Sequence, residues 1–227
     1  KLNLTEVLGN VIAKSDRRRL EEIGRIIPVK YVMTVFGENN RNDRSAFDIA
    51  VRELIEENVQ LHDKIKKITE GFGDENFMIL VENIKLGEAL EAKIPGSVFI
   101  HGKTGKKKRD KAIKDFEEKE LKILIGSKIL KRGLDLKGGV DNLILAASSK
   151  KDSELEQKVG RAVRLNDRGW ARVFDFMFIN NHYLYKHSRR RLKRMVQLGY
   201  PTIVAAPKKV LDGEKVIKQG FNLFRYV

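Results

Sequence analysis

The sequence predicts an α/β fold: a mostly parallel sheet with helices on both faces and a small C-terminal appendage. Three observations predict it. Short apolar runs near residues 77, 98, 121, 142 and 171 alternate with stretches of helical periodicity, the pattern of successive β-α-β units. One of these runs, residues 77–81, is apolar without a break, as a strand buried on both faces requires. His101-Gly102, Gly126-Ser127 and Ala147-Ser148 follow such runs directly, where a parallel sheet presents its functional groups past the carboxyl ends of its strands.

The chain of 227 residues is long enough for one large domain or two small ones, with a full apolar core. Hydrophobic residues make up 41% and charged residues 34%, a globular rather than a disordered balance. A net charge of +15 points to a polyanionic partner, most simply nucleic acid, although an acidic membrane surface also fits. No apolar run reaches the roughly 18 residues of a membrane span, and no signal peptide is visible. Cysteine is absent, which excludes disulfides and thiolate metal sites. The four histidines, His62, His101, His182 and His187, show no metal-ligand spacing, so no metal site is expected. The chain begins with lysine rather than methionine and is expected to be part of something longer.

Taken in order, Ser15 is placed to cap a helix over residues 16–23, with Asp16 in the first turn where a negative charge suits the helix dipole. Arg17, Arg18 and Arg19 read as its solvated face, and Pro28 ends the pattern. Residues 29–36 are β-branched, aromatic and alternating, which predicts a strand; the polar stretch 37–44 predicts a loop. Over 46–69, apolar residues such as Phe47, Ala50, Leu54, Leu61, Ile65 and Ile68 recur at a spacing that suits one or two helices. Gly71 and Gly73 close them, and the strand at 77–81 follows. Residues 83–93 predict a helix with Leu86, Ala89 and Leu90 inward, and Pro95-Gly96 turns the chain into a strand at 98–100. A strongly charged helix over 106–118 is anchored by Ala112, Ile113 and Phe116. Strands at 121–125 and 142–146, a helix over 152–165, a strand at 171–176 and a basic helix over 187–198 complete the series. Past residue 200 the chain reads as an appendage, with Asp212-Gly213 as a hairpin turn between apolar residues.

Three stretches carry the chemistry. Gln157, Gly160, Arg161 and Arg164 form the pattern Gln-x-x-Gly-Arg-x-x-Arg. Arginines three apart on a helix share a face, and their planar, permanently charged forks suit phosphate better than lysine does. Gly160 leaves the backbone open to close approach. The bland alternative is a solvated basic helix. Upstream, residues 123–135 run from an apolar strand through Ser127 and Lys128 to Arg132, Gly133 and Asp135. Earlier still, His101-Gly102 ends a strand, and Lys103, Lys106, Lys107, Lys108, Arg109 and Lys111 form a positive patch suited to a phosphate backbone. Gly102-Lys103-Thr104 invites comparison with a phosphate-binding loop, but that motif needs glycine at position 97, where Ser97 stands.

The order of these stretches resembles the second RecA-like domain of the superfamily 2 helicases, and the resemblance covers nearly the whole chain. It implies a RecA-like form of the parallel fold over residues 1–200, with 1–28 leading in from a missing first domain and 201–227 as the appendage. It implies that Arg161 and Arg164 act as arginine fingers on the transferring phosphoryl group of ATP, each class of finger typically worth about 10³ to 10⁵ in rate. Gln157 then positions the attacking water or touches the phosphate, and Gly133, Asp135 and Gly160 face the nucleotide. His101, Gly102, Arg109, Ser127 and Lys128 meet the nucleic-acid backbone. Ser127 stands where the family usually has threonine, and either hydroxyl serves a phosphate. Gln157-Lys158 replaces the histidine-arginine pair of the common RNA-helicase form, which inclines the resemblance towards XPB-like and phage UvsW-like DNA helicases. Arg189, Arg190, Arg191, Lys193 and Arg194 are a further backbone-binding set or a solvated helix face.

The chain has neither a phosphate loop nor an acidic pair after a strand to hold Mg²⁺, since Asp175 and Glu82 each lack an acidic neighbour. Half of an ATP site is therefore expected, with ATP and Mg²⁺ held mainly by the first domain and the chain inactive by itself. The expected function is the second motor domain of an ATP-dependent DNA helicase or translocase. It would unwind or branch-migrate single-stranded, forked or branched DNA by alternating its grip as the cleft closes and opens. An RNA helicase, a non-catalytic nucleic-acid-binding module of the same fold, and a self-sufficient nucleotide hydrolase built on Lys103 are the alternatives. The location is expected to be intracellular, in the host cytoplasm for a phage protein and the nucleus for a eukaryotic one, with no membrane partner.

Overall fold

The computed structural model describes residues 17–37, 43–127, 138–146, 159–160 and 166–205, with Arg18 by its backbone alone. In chain order the strands are β1 (Val29–Phe36), β2 (Phe77–Val81), β3 (Ser97–Ile100), β4 (Ile123–Gly126), β5 (Asn142–Ala146), β6 (Ala171–Phe178) and β7 (Thr202–Ala205). The helices are α1 (Arg17–Glu22), α2 (Phe47–Val51), α3 (Val59–Glu70), α4 (Ile84–Lys93), α5 (Lys106–Glu117) and α6 (His182–Gln197). The strands form one seven-stranded sheet in the order β3-β4-β2-β5-β6-β1-β7, and every pairing is parallel.

Parallel strands need a crossover, and the helices that supply it bury the sheet from both sides. Because side chains alternate across a strand, neighbouring residues enter different cores. On one face Tyr31, Met78, Leu124, Leu143 and Val173 pack with Ala112 and Phe116 of α5, Leu192 and Met195 of α6, and Val159. On the other, Ile79, Ile125, Ile144 and Phe176 pack with Leu61 and Ile65 of α3 and Leu86 and Leu90 of α4. β2 and β5 are buried at every position, which explains the unbroken apolar sequence of β2 and of β5 after Asn142.

Asparagine starts three of the helices. The Asn58 side chain accepts from Leu61 N–H, Asn83 from Leu86 N–H, and Asn181 from Tyr183 and Leu184 N–H. Each cap satisfies an amide that lacks a partner within the helix and stabilises it by about 1 kcal/mol. Residues 46–69 resolve into two helices, α2 and α3, separated by one π-type turn over Arg52–Glu56.

Three expectations change. The sheet runs past the boundary expected at residue 200: Thr202–Ala205 pairs with Tyr31–Thr34 as the seventh strand, and Tyr31 N–H donates to Pro201 O at 2.8 Å. An edge strand of four half-buried residues lacks the apolar run that marks β2, so its signal is weak. α6 starts at His182 rather than near residue 187, because Asn181 caps it. Within α6, Arg191 is not a surface cation. It is buried, and its Nε donates to Asp175 Oδ2 at 2.7 Å and its Nη2 to Asp175 Oδ1 at 2.9 Å. The hairpin expected at 210–216 lies outside the described residues.

Candidate functional site

The carboxyl ends of β3, β4 and β2 lie side by side, since β4 pairs with both neighbours. Ser127, one residue past β4, donates its N–H to Ile100 O at 3.2 Å and is buried. That bond sets Ser127 beside His101, so two candidate residues distant in sequence meet at one edge. Asn83, two residues past β2, caps α4 on the same edge, and its amide also donates to Glu56.

His101 opens a tight turn. Its N–H donates to Thr104 Oγ1 at 2.9 Å, its carbonyl accepts from Thr104 N–H at 3.0 Å, and its Nδ1 accepts from Lys103 N–H at 3.3 Å. The last contact leaves Nε2 as the protonated nitrogen of the neutral ring. The ring stacks on Phe99, with centroids 5.1 Å apart and planes inclined by 23°. Position 97, where a phosphate loop needs its first glycine, is the first residue of β3 itself. The span from 97 to 104 is thus strand and tight turn, with no loop to wrap a phosphate.

α5 starts from Gly105 with no side-chain cap. Lys106, Lys107 and Lys108 of its first turn are all exposed. Cations there oppose the positive end of the helix dipole, and a bound phosphate would relieve both. Arg109 is half-buried, with its Nε 3.5 Å from Asp110 Oδ1. Gly102 is exposed, with nothing within 4 Å of where a Cβ would stand.

Of the nucleotide-side set, Gly160 is described. It is helical and half-buried, and a Cβ added to it would meet nothing within 4 Å. Its neighbour Val159 is fully buried in the core that α5 and α6 cover. Lys128, Gly133, Asp135, Gln157, Arg161 and Arg164 lie outside the described residues.

Two polar constellations escaped sequence reasoning. One is Tyr31, Asp175 and Arg191, in which the Tyr31 hydroxyl donates to Asp175. Burial first, then the Asp175 charge and hydrogen bond, push the Tyr31 hydroxyl well above the usual tyrosine range. Burial works against the charge on Arg191, but attraction to Asp175 outweighs it and holds the guanidinium more firmly protonated than usual. The other lies at the opposite edge of the sheet, around Glu75, Asn76, Asp141, Asn142, Asn166, Arg168 and Arg172. Its sequence signal is an acid-asparagine pair, Glu75-Asn76 and Asp141-Asn142, at the start of two apolar strands.

The fold and this arrangement define a RecA-like α/β domain. Residues 61–166 match the helicase conserved C-terminal domain family, a match that, with the fold, supports a C-terminal RecA-like domain of the superfamily 2 helicase kind. Among curated proteins it is similar to a mitochondrial ATP-dependent RNA helicase, MSS116, of Meyerozyma guilliermondii, at 32% identity over 75 residues. That match covers 33% of this chain and 10% of the relative. It is also similar to the probable ATP-dependent RNA helicase DDX4 of Homo sapiens, at 27% identity over 53% of this chain and 17% of the relative. The matches thus span less than a fifth of each relative's length. Among solved structures, an HsdR subunit fragment of a type I restriction enzyme from Vibrio vulnificus has the same fold, with a TM-score of 0.66 at 18% identity over 94% of this chain and 42% of that one. T4 UvsW gives 0.60 at 14% identity over 79% and 41%. The C-terminal domain of the DEAD-box protein Dbp5 gives 0.51 at 20% identity over 86% and 98%.

Proposed function

We propose that this chain is the second motor domain of an ATP-dependent helicase or translocase, whose first RecA-like domain completes the nucleotide site. The observation that carries the reading is the reach of the helicase match: residues 61–166 contain every candidate site residue from His101 to Arg164. His101, Ser127 and the lysine-rich start of α5 meet at one edge of the sheet, which supports a phosphate-backbone contact there. Gly102, Arg109 and Lys128 belong to the same contact. On the nucleotide side, open backbone at Gly160 above a buried Val159 fits the close approach of a phosphate-bearing ligand. ATP with Mg²⁺, held mainly by the first domain, supplies the free energy of phosphoryl transfer. Gly133, Asp135 and Gly160 would hold the nucleotide from this side, Arg161 and Arg164 would bring positive charge to its phosphates, and Gln157 would orient water.

We take DNA as the nucleic acid, because Gln157-Lys158 stands in place of the histidine-arginine pair of the common RNA-helicase form. RNA is the second reading, favoured by the names of the curated relatives. The test is nucleic-acid-stimulated ATP hydrolysis, with DNA and with RNA, by the chain alone and by the longest natural polypeptide containing it, each with and without Arg164→Ala. The chain alone is expected to be inactive, and the longer protein to lose about 10³-fold or more with the substitution. Turnover by the chain alone would sink the half-site reading.

A further inference from the structure

α6 carries an exposed stripe that the candidate site does not use. Its buried side is set by Leu184, Ser188, Arg191, Leu192 and Met195. That leaves His182, Lys186, Arg189 and Lys193 facing outward, all exposed. Their spacing of four, three and four residues puts them on one line down the helix. At about 1.5 Å per residue, Lys186 to Lys193 covers about 10.5 Å. The Arg189 guanidinium lies 5.6 Å from the centre of the Tyr185 ring, a contact that steadies it at the surface. Other surface lysines have an acid at hand: Lys93 Nζ is 2.7 Å from Asp63 Oδ1, and Lys122 Nζ is 3.6 Å from Asp74 Oδ1. Among the described residues, Lys186, Arg189 and Lys193 have no such acidic partner, and α6 itself contains none. Neighbouring like charges on a helix repel, and a polyanion laid along them removes that cost.

The head of the stripe is aromatic. Tyr183 is 42% exposed, and its ring meets the His182 ring edge-on, with centroids 5.5 Å apart and planes at 82°. Tyr183 precedes Lys186 by three residues, so its ring neighbours the first cation. The backbone beneath is fixed. The buried Asn181 side chain accepts from Tyr183 N–H at 3.0 Å and Leu184 N–H at 3.2 Å, and His182 N–H donates to Asp43 O at 3.0 Å. Because β6 leads into α6, this head lies at the carboxyl edge of the sheet, as His101 and Ser127 do. Four strand spacings, from β3 through β4, β2 and β5 to β6, separate it from His101, or about 19 Å. An exposed ring that takes a base, followed by cations that take phosphates, is the combination that binds single strands. A duplex offers the phosphates but keeps its bases stacked on one another.

We propose that the exposed face of α6 is a second contact for single-stranded nucleic acid, in which Tyr183 stacks on an unpaired base and Lys186, Arg189 and Lys193 hold the adjoining phosphates. This rests on the nucleic-acid reading given above and adds to it a second grip, beyond the His101 edge.

The experiment uses the longest natural polypeptide containing the chain. The variants are Tyr183→Ala, Tyr183→Phe, the combination Lys186→Gln, Arg189→Gln and Lys193→Gln, and the pair Lys107→Gln and Lys108→Gln on α5. Affinities for labelled oligothymidylate, oligouridylate and a blunt DNA duplex are measured at several salt concentrations, with thermal midpoints to show that the fold is kept. Neutralising the three α6 cations is expected to weaken single-strand binding about tenfold or more and to lower the slope of log affinity against log salt by about 2. Tyr183→Ala weakens it about fivefold or more with the slope unchanged, and shifts duplex binding by less than about twofold. Tyr183→Phe, which keeps the ring face, binds like the natural protein. Unchanged single-strand affinity in the triple variant, with the α5 pair impaired, overturns this inference alone. An equal loss on strand and duplex for Tyr183→Ala also overturns it. Failure of the natural protein to bind any of the three probes overturns the nucleic-acid reading and this inference with it.

Discussion

Arg191 and Asp175 face each other across the packing of α6 on β6, joined by two hydrogen bonds of 2.7 and 2.9 Å and both sealed from solvent. The paired geometry matters because each charge alone would be costly to bury. Arg191 also donates to Phe176 O at 3.0 Å, which ties the helix to the strand backbone. Removal of one partner leaves the other uncompensated. Asp175→Ala and Arg191→Ala are each expected to destabilise the fold by about 3–5 kcal/mol, read by urea unfolding. A loss below about 1 kcal/mol for both would mean that the pair does not hold α6 in place.

Tyr31 gives the same cluster a pH signature. Its hydroxyl ionises far less readily in the fold than in the unfolded chain, because burial and Asp175 both resist a new negative charge. The stability this contributes is complete below the ordinary tyrosine value of about 10. It declines as pH rises above that value, since the unfolded chain ionises first, and is gone once the folded hydroxyl ionises too. Tyr31→Phe is expected to cost about 1–3 kcal/mol at neutral pH and to flatten the loss of stability above about pH 10. Denaturation midpoints measured from pH 8 upward check it; parallel curves for both proteins would count against it.

Gly87 of α4 is pressed against Phe99 of β3. A Cβ there would stand 2.2–2.6 Å from three ring carbons. Alanine favours a helix over glycine by about 1 kcal/mol, but overpacking of about 1–3 kcal/mol outweighs it. Since Phe99 carries the His101 ring, the disturbance reaches the edge proposed to meet nucleic acid. Gly87→Ala is expected to lower both the thermal midpoint and nucleic-acid affinity, and Phe99→Leu in the same chain to restore the midpoint. A Gly87→Ala protein with unchanged midpoint would show that the ring yields freely.

The two exposed basic surfaces separate by salt dependence. Lys106, Lys107 and Lys108 cluster at the start of α5, and Lys186, Arg189 and Lys193 line the exposed side of α6. α6 contains no acidic residue to balance them. Removing one cation that neutralises a phosphate lowers the slope of log affinity against log salt by about 0.7 for a single strand. Charge reversal at Lys107 and Lys108 is expected to weaken binding and flatten that slope. The same reversal at Arg189 and Lys193 has this effect only where α6 touches the backbone, and fluorescence-anisotropy titrations at several salt concentrations distinguish the two.

How far the sequence could be read depended on how completely each residue's surroundings follow from its neighbours. The limits of β1, β2 and β5 match the sequence reading residue for residue, because β2 and the last four residues of β5 are unbroken apolar runs and β1 alternates between the breaks at Pro28 and Gly37. β7 escaped because an edge strand is only half-buried and needs little apolar pattern. Arg191 was misread because three consecutive arginines look solvated. Its spacing from Leu184, Ser188 and Met195, all buried on one side of α6, carried the opposite signal. Of the candidate site, the His101 and Ser127 edge was legible, since both follow strands directly. The polar constellation around Asn166 was not, because its members lie up to 97 residues apart, as with Glu75 and Arg172.

The sequence by itself determined the parallel α/β architecture, the helicase motifs and their order, since apolar periodicity and short motifs are local properties of the chain. The tertiary structure alone decided that Ser127 stands beside His101, that Arg191 neutralises Asp175, and that Asn166 is anchored to Val140 and Asp141 just before β5. Those are contacts between distant segments, and their energy depends on burial and on partners that meet only when the sheet has formed.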